Sequence, residues 1–270
     1  MTLIEGIVLG IFQGVLEWLP VSSQGALVIL MVGIFDFTVE TATRLSIFLH
    51  SGTVLAAVIY FRSELKKMIV GIRSYTPGFS TANNGLITFL ILSTLITGLL
   101  GYLIFTFIST TSLAGEVFLA IVGIALIFTG LLQRFARRVE SKLKTDKDLR
   151  LRDTILIGSA QALSVIPGIS RSGITTSYLL LRGYSSTDSL RLSFLMSIPT
   201  VIIAELGMYM VYGLEAIPFE EAVMGVLFSF IFGLASIHTL LKMASRIRFW
   251  IFAIIIGFLA MLPLLGLILV

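Results

Sequence analysis

Hydrophobic residues dominate this chain in long uninterrupted stretches, which is the pattern of helices that cross a lipid bilayer. Six stretches are long enough, because about 20 apolar residues span the hydrocarbon core. They cover residues 43–61, 86–107, 115–133, 190–211, 221–241 and 249–269. The pattern therefore predicts an all-α integral membrane protein with six transmembrane helices.

Two further apolar segments, 1–35 and 151–181, are broken near their middle by proline, serine and glycine. Irregular backbone at membrane depth is tolerated only where protein or a water-filled cavity covers it. We therefore predict that each segment forms a re-entrant helix–loop–helix pair. The composition agrees with a membrane protein, since 57% of the residues are hydrophobic, 13% are charged and the mean hydropathy is +1.03.

The two broken segments are copies of one another. Residues 10–25 read GIFQGVLEWLPVSSQG and residues 158–173 read GSAQALSVIPGISRSG, with glycine, glutamine and proline at matching places. The repeat continues downstream, where RLSIFLHSGTV and RLSFLMSIPTV begin 147 residues apart. In a membrane protein, matching breaks in two repeated halves point to a binding site between the halves.

Lysine and arginine predict the orientation of the chain, because basic segments mark the cytoplasmic side of a membrane protein. Seventeen of the 19 lie in 62–73, in 134–152, at Arg182 and Arg191, and in 242–248. Three spans per half is an odd number, so the second half must be inverted relative to the first. Both termini then lie outside, and the two re-entrant tips meet near the middle of the membrane.

These boundaries predict one membrane domain over residues 1–270. The first repeat covers 1–135, the second covers 150–270, and a cytoplasmic linker at 136–149 joins them. The net charge of +4 follows from this topology and does not indicate a nucleic-acid surface.

The second break carries the chemistry of an anion-binding site. Arg171 has a permanent charge whose fork matches phosphate oxygens, and a charge inside an apolar segment is costly enough to indicate function. The start of the following helix adds unpaired backbone N–H groups. The alternative is a structural Arg171 that either snorkels towards the membrane surface or pairs with a buried carboxylate. The candidate binding residues are Ser170, Arg171, Ser172, Gly173 and Thr175.

The first break, EWLPVSSQGAL at 17–27, has complementary chemistry. Glu17 could hold a divalent cation, act as a general base or neutralise Arg171. Ser22 or Ser23 could be a nucleophile, or could cap the helix that begins there. The sequence alone leaves these alternatives open.

Three more polar residues lie in apolar surroundings. Gln13 and Gln161 each precede a break by one turn, where they could donate to a bound oxyanion or tie the two repeats together. The structural role is favoured for Gln161. His50 lies within a predicted span and is either a proton donor or a satisfied interior histidine.

At these breaks the chain resembles the undecaprenyl-pyrophosphate phosphatase family, also called bacitracin-resistance proteins. The matching stretches are GIFQGVLEWLPVSSQGAL, LHSGTVLAAVIYFR, PGISRSGITTS and SFLMSIPTV, and the resemblance covers essentially the whole length. The combination of PGISRSG with EWLPVSS is its specific part. The resemblance implies an inverted duplication with two re-entrant pairs, in agreement with the repeat and the charges.

The resemblance also implies an activity, the removal of one phosphate from undecaprenyl pyrophosphate at the outer face of the membrane, supported by a divalent metal ion. By motif position, Glu17 matches the second acid of the family's first motif. Ser22 and Ser23 match its paired serines, of which Ser23 is the expected nucleophile. The second motif's phosphate-binding residues are matched by Ser170, Arg171, Ser172 and Thr175.

Two positions depart from the family pattern. Gln13 stands where the family has the first acid of an E-x-x-x-E pair, and Ala26 stands where many members have a histidine. A two-carboxylate metal site from that motif and a mechanism through that histidine are therefore not available. Glu17 would serve alone, or His50 would substitute for the histidine.

The sequence thus predicts a polyprenyl-pyrophosphate phosphatase of the plasma membrane with Glu17, Ser23, Arg171 and His50 as catalytic residues. The expected cofactor is Mg²⁺ or Ca²⁺ held by Glu17. The expected partners are a polyprenyl pyrophosphate and membrane lipids, with a homodimer as a compatible assembly. The alternative is a polyprenyl-phosphate transporter or flippase that uses the same pocket between inverted repeats.

Overall fold

The protein was analysed as a computed structural model that describes residues 2–109, 115–138, 144–212, 219–243 and 249–269. Within these ranges the chain is helical and contains no β-strand. The helices are α1 (Leu3–Leu16), α2 (Ser23–Gly33), α3 (Val39–Tyr60), α4 (Arg62–Gly71), α5 (Ala82–Ser109), α6 (Gly115–Arg138), α7 (Leu151–Ala162), α8 (Arg171–Leu181), α9 (Ser186–Tyr212), α10 (Phe219–Met243) and α11 (Phe249–Leu269). Parts of the predicted loops and linker, at 110–114, 139–143, 213–218 and 244–248, lie outside the described residues.

In the part of the chain that the structure describes, five helices are long and apolar enough to cross a membrane, as expected of a multi-pass membrane protein. They contain the spans Val39–Tyr60, Ala82–Ile108, Val117–Ala136, Ser186–Met210 and Glu221–Lys242. The sixth predicted span falls on α11, where the apolar stretch found in the described residues, Trp250–Leu262, is shorter than a full span. Five predicted spans therefore have matching helices, and the sixth stays a prediction.

Each broken segment forms a pair of short helices, α1 with α2 and α7 with α8. A serine side chain begins the second helix of each pair. Ser22 Oγ accepts a hydrogen bond from the backbone N–H of Gly25 at 3.1 Å, and Ser170 Oγ accepts one from Gly173 at 3.0 Å. These caps satisfy otherwise unpaired N–H groups at the helix start. The helix–loop–helix arrangement agrees with the sequence pattern, whereas its re-entry into the membrane stays a prediction.

The first helix of each half packs closely against a long helix of the other half. A Cβ atom on Gly10 of α1 would lie 2.2 Å from the carbonyl oxygen of Gly225 on α10. A Cβ atom on Gly158 of α7 would lie 2.9 Å from the carbonyl oxygen of Ser93 on α5. Small residues at such contacts allow two helix backbones to approach closely. Close packing is important in a membrane, because the surrounding lipid provides no hydrophobic driving force for helices to associate. The two halves are therefore interlocked.

Helix α4 covers most of the basic segment 62–73, for which the sequence predicted a side of the membrane but no helix. Its apolar residues Leu65 and Met68 are three positions apart and pack against the main core, which includes Trp18, Phe89 and Phe194. Residues at this spacing share one helix face. The charge pattern indicated the side of the membrane but did not reveal this apolar face.

Ion pairs connect the described end of the linker to the helices. Arg191 of α9 lies 2.7 Å from Glu64 and 2.8 Å from Asp146. Nearby, Arg182 donates to the buried Asp153 at 2.6 Å, and the hydroxyl of Tyr184 lies 3.3 Å from the same carboxylate. Burial, together with the charge of Asp153, raises the pKa of Tyr184 above its usual range. Asp146 thus attaches the described end of the linker to α9, and the same arginine, Arg191, joins α9 to α4.

Candidate active site

The carboxylate of Glu17 is the centre of a buried polar cluster. Glu17 follows directly after α1, and its side chain is 5% exposed. Its Oε1 accepts a hydrogen bond from Arg171 Nη2 at 2.6 Å. Its Oε2 accepts from Ser23 Oγ at 2.7 Å and from Gln13 Nε2 at 2.9 Å, and it lies 3.1 Å from His50 Nε2. One carboxylate therefore joins side chains from α1, α2, α3 and α8.

His50 is oriented by a second acceptor on its own helix. Its Nδ1 lies 2.6 Å from the backbone carbonyl oxygen of Ser46, one turn earlier in α3. A carbonyl oxygen can only accept, so this nitrogen carries a proton. The other ring nitrogen then faces Glu17. The structure thus places His50 in the predicted site as a positioned ring between two acceptors.

The two adjacent serines have different roles in the structure. Ser22 Oγ accepts from the Gly25 N–H as the cap of α2, so its hydroxyl oxygen is engaged by the backbone. Ser23 Oγ instead donates to Glu17 Oε2. A hydroxyl that donates to a carboxylate is the arrangement of a nucleophile beside its base. The geometry therefore assigns capping to Ser22 and favours Ser23 for chemistry.

The tips of the two broken segments lie against each other. Ser172 Oγ donates to the backbone carbonyl of Leu19 at 2.8 Å. The amide of Gln133, on α6, donates to the carbonyl of Pro20. A Cβ atom on Gly25 would lie 3.1 Å from the Cα of Gly168. Backbone carbonyls freed by the first break are thus satisfied by side chains from the second half and from α6, as buried polar groups require.

Thr175 and Gly173, two of the other predicted site residues, help to hold Arg171 in position. Thr175 Oγ1 donates to the backbone carbonyl of Arg171 at 2.8 Å and lies 2.7 Å from Ser193 Oγ on α9. Arg171 Nη1 also makes a long contact of 3.4 Å with the carbonyl of Ser193. Gly173 is required for space, because a Cβ there would lie 2.6 Å from Thr129 Cγ2. The hydroxyls around Arg171 thus position the start of α8.

Gln161 lies in a separate polar cluster. Its Nε2 donates to Thr97 Oγ1 at 3.0 Å and to Thr200 Oγ1 at 2.9 Å, which joins α7 to α5 and α9. None of the hydrogen bonds found for Gln161 involves Glu17 or Arg171. Gln161 therefore has the structural role that the sequence favoured, whereas its repeat partner Gln13 contacts Glu17 directly.

Three residues of this region were missed by sequence reasoning. Gln133 and Ser193 are buried polar residues within spans, and only the fold brings them to the two tips. Glu205 had a signal that could have been used, because a lone carboxylate in a transmembrane helix indicates function by default. Its Oε2 lies 2.8 Å from Ser51 Oγ, next to His50 in the chain, and its buried Oε1 has no hydrogen-bond partner among the described residues.

The donor set around Glu17 does not fit a resident divalent metal ion. Magnesium and calcium bind anionic and carbonyl oxygens, but Glu17 accepts hydrogen bonds from three other side chains, and the ring of His50 lies 3.1 Å from it. Within the described ranges, no group of three or more histidine, aspartate or glutamate side chains could hold a metal. The predicted Mg²⁺ or Ca²⁺ therefore stays a prediction without a matching ligand set.

The cluster combines the parts that phosphoryl transfer uses. A hydroxyl and a carboxylate are in hydrogen-bond contact, which provides a nucleophile and a base. A permanently charged guanidinium lies beside them, and such groups stabilise the charge of a transferring phosphoryl group. These elements define a class: a helical membrane protein with a buried polar site where two broken segments meet.

The comparison with known proteins places the chain within this class. It belongs to the bacitracin resistance protein BacA family, whose model matches residues 6–262. Similar proteins named undecaprenyl-diphosphatase include one from Methanococcoides burtonii, 41% identical over 98% of this chain and 99% of the relative. Those from Haloarcula marismortui and Methanothrix thermoacetophila are 36% and 34% identical, over 94% and 95% of both chains respectively.

Proposed function

We propose that this protein is a membrane phosphatase that converts undecaprenyl pyrophosphate, or a similar polyprenyl pyrophosphate, to the monophosphate lipid carrier and phosphate. The observation that carries the proposal is the contact of Glu17 with both Ser23 and Arg171. The proposed nucleophile, Ser23, and the proposed anion-binding cation, Arg171, thereby both contact the buried carboxylate that acts as the base. The names of the relatives give the substrate class, which the residues alone do not specify.

In the proposed mechanism, Ser23 attacks the terminal phosphorus and its proton passes to Glu17. The bond between this phosphorus and the bridging oxygen breaks, and the bridging oxygen leaves with the lipid monophosphate. Arg171 stabilises the negative charge on the phosphoryl oxygens as this bond breaks. The oxygen of a water molecule then attacks the phosphorus of the phosphoserine, and the bond between phosphorus and Ser23 Oγ breaks as the proton on Glu17 passes to Ser23 Oγ. Phosphate leaves with the oxygen and both protons of the water. Direct attack by a water activated by Glu17 is the closest variant.

The proposal includes an architecture of two inverted repeats with re-entrant pairs. In the proposed repeat, α1 corresponds to α7 and α5 corresponds to α10. Helix α1 of the first half packs on α10 of the second half, and α7 of the second half packs on α5 of the first. This reciprocal packing, in which the helix pairs are exchanged between the halves, supports the architecture. The contact between the two tips supports a site shared by both repeats. We propose, on the charge pattern, that the termini lie outside and that the site opens to the outer face.

The test is release of inorganic phosphate from undecaprenyl pyrophosphate by the purified protein in detergent, with Mg²⁺ and with EDTA. Arg171→Ala should lose turnover, and Arg171→Lys should retain only part of it, since a lysine keeps the charge but not the fork. Arg191→Ala is the matched control, because Arg191 is also ion-paired but joins Glu64 and Asp146 away from the cluster. Full turnover in folded Arg171→Ala would refute the assignment.

The exchanged helix pairs also favour a second candidate function, a transporter of polyprenyl phosphate. Inverted repeats that meet at broken helices are the architecture of many secondary transporters, in which the repeats rock around a fixed site. A folded protein that binds the lipid pyrophosphate but releases no phosphate under any condition would support this function instead of the phosphatase.

A further inference from the structure

Four protein side chains surround the two oxygens of the Glu17 carboxylate. An ionised carboxylate offers about four lone-pair positions on its two oxygens. Arg171, Ser23, Gln13 and His50 all lie within hydrogen-bond distance of these oxygens, at 2.6, 2.7, 2.9 and 3.1 Å. A metal ion that binds Glu17 would have to displace at least one of these groups. Two of them, Ser23 and Arg171, act in the proposed reaction.

The type of side chain at position 13 determines whether the Glu17 carboxylate faces a hydrogen-bond donor or a second carboxylate. Gln13 is fully buried and turns its amide nitrogen toward Glu17, so it adds a donor there. A carboxylate at the same position, one helical turn before Glu17, would add a second anionic acceptor. Two carboxylates attract a divalent cation, whereas a carboxylate paired with an amide donor is already satisfied.

Arg171 provides a positive charge in the place where a metal ion would act. Its side chain is 10% exposed, and one terminal nitrogen is fixed to Glu17 at 2.6 Å. Among the residues that the structure describes, the other terminal nitrogen makes only the long 3.4 Å contact with the carbonyl of Ser193. A guanidinium has five N–H donors, so further donors are available for phosphate oxygens. The site therefore contains a fixed cation of its own.

We propose that this protein, if it has the phosphatase function proposed above, binds and cleaves its substrate without a divalent metal ion. Arg171 supplies the charge that neutralises the phosphates, and Gln13 keeps Glu17 in a network of protein donors. Gln13 is the residue that determines this property. Its replacement by glutamate creates a pair of carboxylates and, with it, a metal site.

The first experiment measures metal binding directly. Purified wild-type protein and Gln13→Glu are each titrated with Mn²⁺ in detergent without substrate, and free Mn²⁺ is followed by electron paramagnetic resonance. We expect the wild type to retain no Mn²⁺ and Gln13→Glu to retain one ion per chain. A single ion retained by the wild type would overturn the proposal, and so would a folded Gln13→Glu that retains none.

The second experiment measures phosphate release from undecaprenyl pyrophosphate in EDTA and in Mg²⁺. We expect wild-type rates that agree within about threefold, and a Gln13→Glu rate that falls about tenfold or more in EDTA, as expected when a bound ion carries at least 1.4 kcal/mol of the stabilisation. A wild-type rate that EDTA abolishes and Mg²⁺ restores would refute metal independence but leave the phosphatase intact. No release in either condition would refute the phosphatase, while the Mn²⁺ titration would still decide the metal question.

Discussion

Arg171 Nη2 lies 2.6 Å from Glu17 Oε1, and this ion pair joins the two broken segments across 154 residues of sequence. Both side chains are buried, so each charge depends on the other for compensation. The pair also brings the charge that we propose binds phosphate next to the carboxylate that contacts Ser23. Structure and chemistry are therefore coupled at one contact, which makes the residues around it sensitive to substitution.

The adjacent serines should separate catalysis from helix capping. Ser23→Ala should lower kcat by roughly 10³-fold or more, because it removes the nucleophile beside Glu17. Ser22→Ala should lower the free energy of unfolding by about 1 kcal/mol, the usual value of a lost helix cap. Phosphate release and thermal unfolding of both variants check this. Equal kcat values for Ser23→Ala and Ser22→Ala would contradict the assignment.

The glutamines that are equivalent in the repeat should behave differently. Gln13→Leu should lower kcat, because Glu17 loses a donor that positions it. Gln161→Leu should destabilise the fold by about 1 kcal/mol for each lost hydrogen bond to Thr97 and Thr200, with kcat and KM unchanged. Steady-state kinetics beside unfolding measurements compare the two variants. A loss of kcat in Gln161→Leu but not in Gln13→Leu would contradict these two roles.

The turn before α8 should tolerate only glycine. Gly168 has a φ of +95°, and a Cβ there would lie 2.4 Å from the carbonyl oxygen of Val122. Gly168→Ala should therefore cost about 1–3 kcal/mol of stability and reduce turnover by shifting the second tip. Gly98→Ala is the control, since among the described residues no atom beyond its own helix backbone lies within 4 Å of its Cβ position. An equal loss of thermal stability in Gly168→Ala and Gly98→Ala would rule out this explanation.

The orientation of the chain can be tested because the protein contains no cysteine. Single cysteines at three exposed positions, Ser74→Cys, Lys147→Cys and Thr41→Cys, should divide between the two sides of the membrane. A membrane-impermeant maleimide applied to intact cells should label only the cysteine at position 41. Labelling at 74 or 147 before lysis would contradict the positive-inside orientation, whereas labelling at all three after lysis confirms that each site is reactive.

Local patterns in the sequence were sufficient for much of the architecture. Hydrophobic length predicted the five spans found, and the Pro/Ser/Gly breaks predicted the two pairs of short helices. The candidate residues Glu17, Ser23 and Arg171 also come together as expected. These predictions succeed because span length and helix breaking depend on neighbouring residues. Helix α4 was missed, because its apolar face packs on a core formed by distant residues.

The sequence by itself determined the class of protein, the repeat and the kinds of side chain at the two breaks. Only the tertiary structure decided that the hydroxyl of Ser172 reaches the carbonyl of Leu19 and that Glu205 lies beside Ser51 on a neighbouring helix. The reason is physical: hydropathy and helix propensity act over one or two turns, whereas a hydrogen bond depends on the positions of two groups. Here several of those groups are about 150 residues apart in the chain and meet only when the two halves interlock.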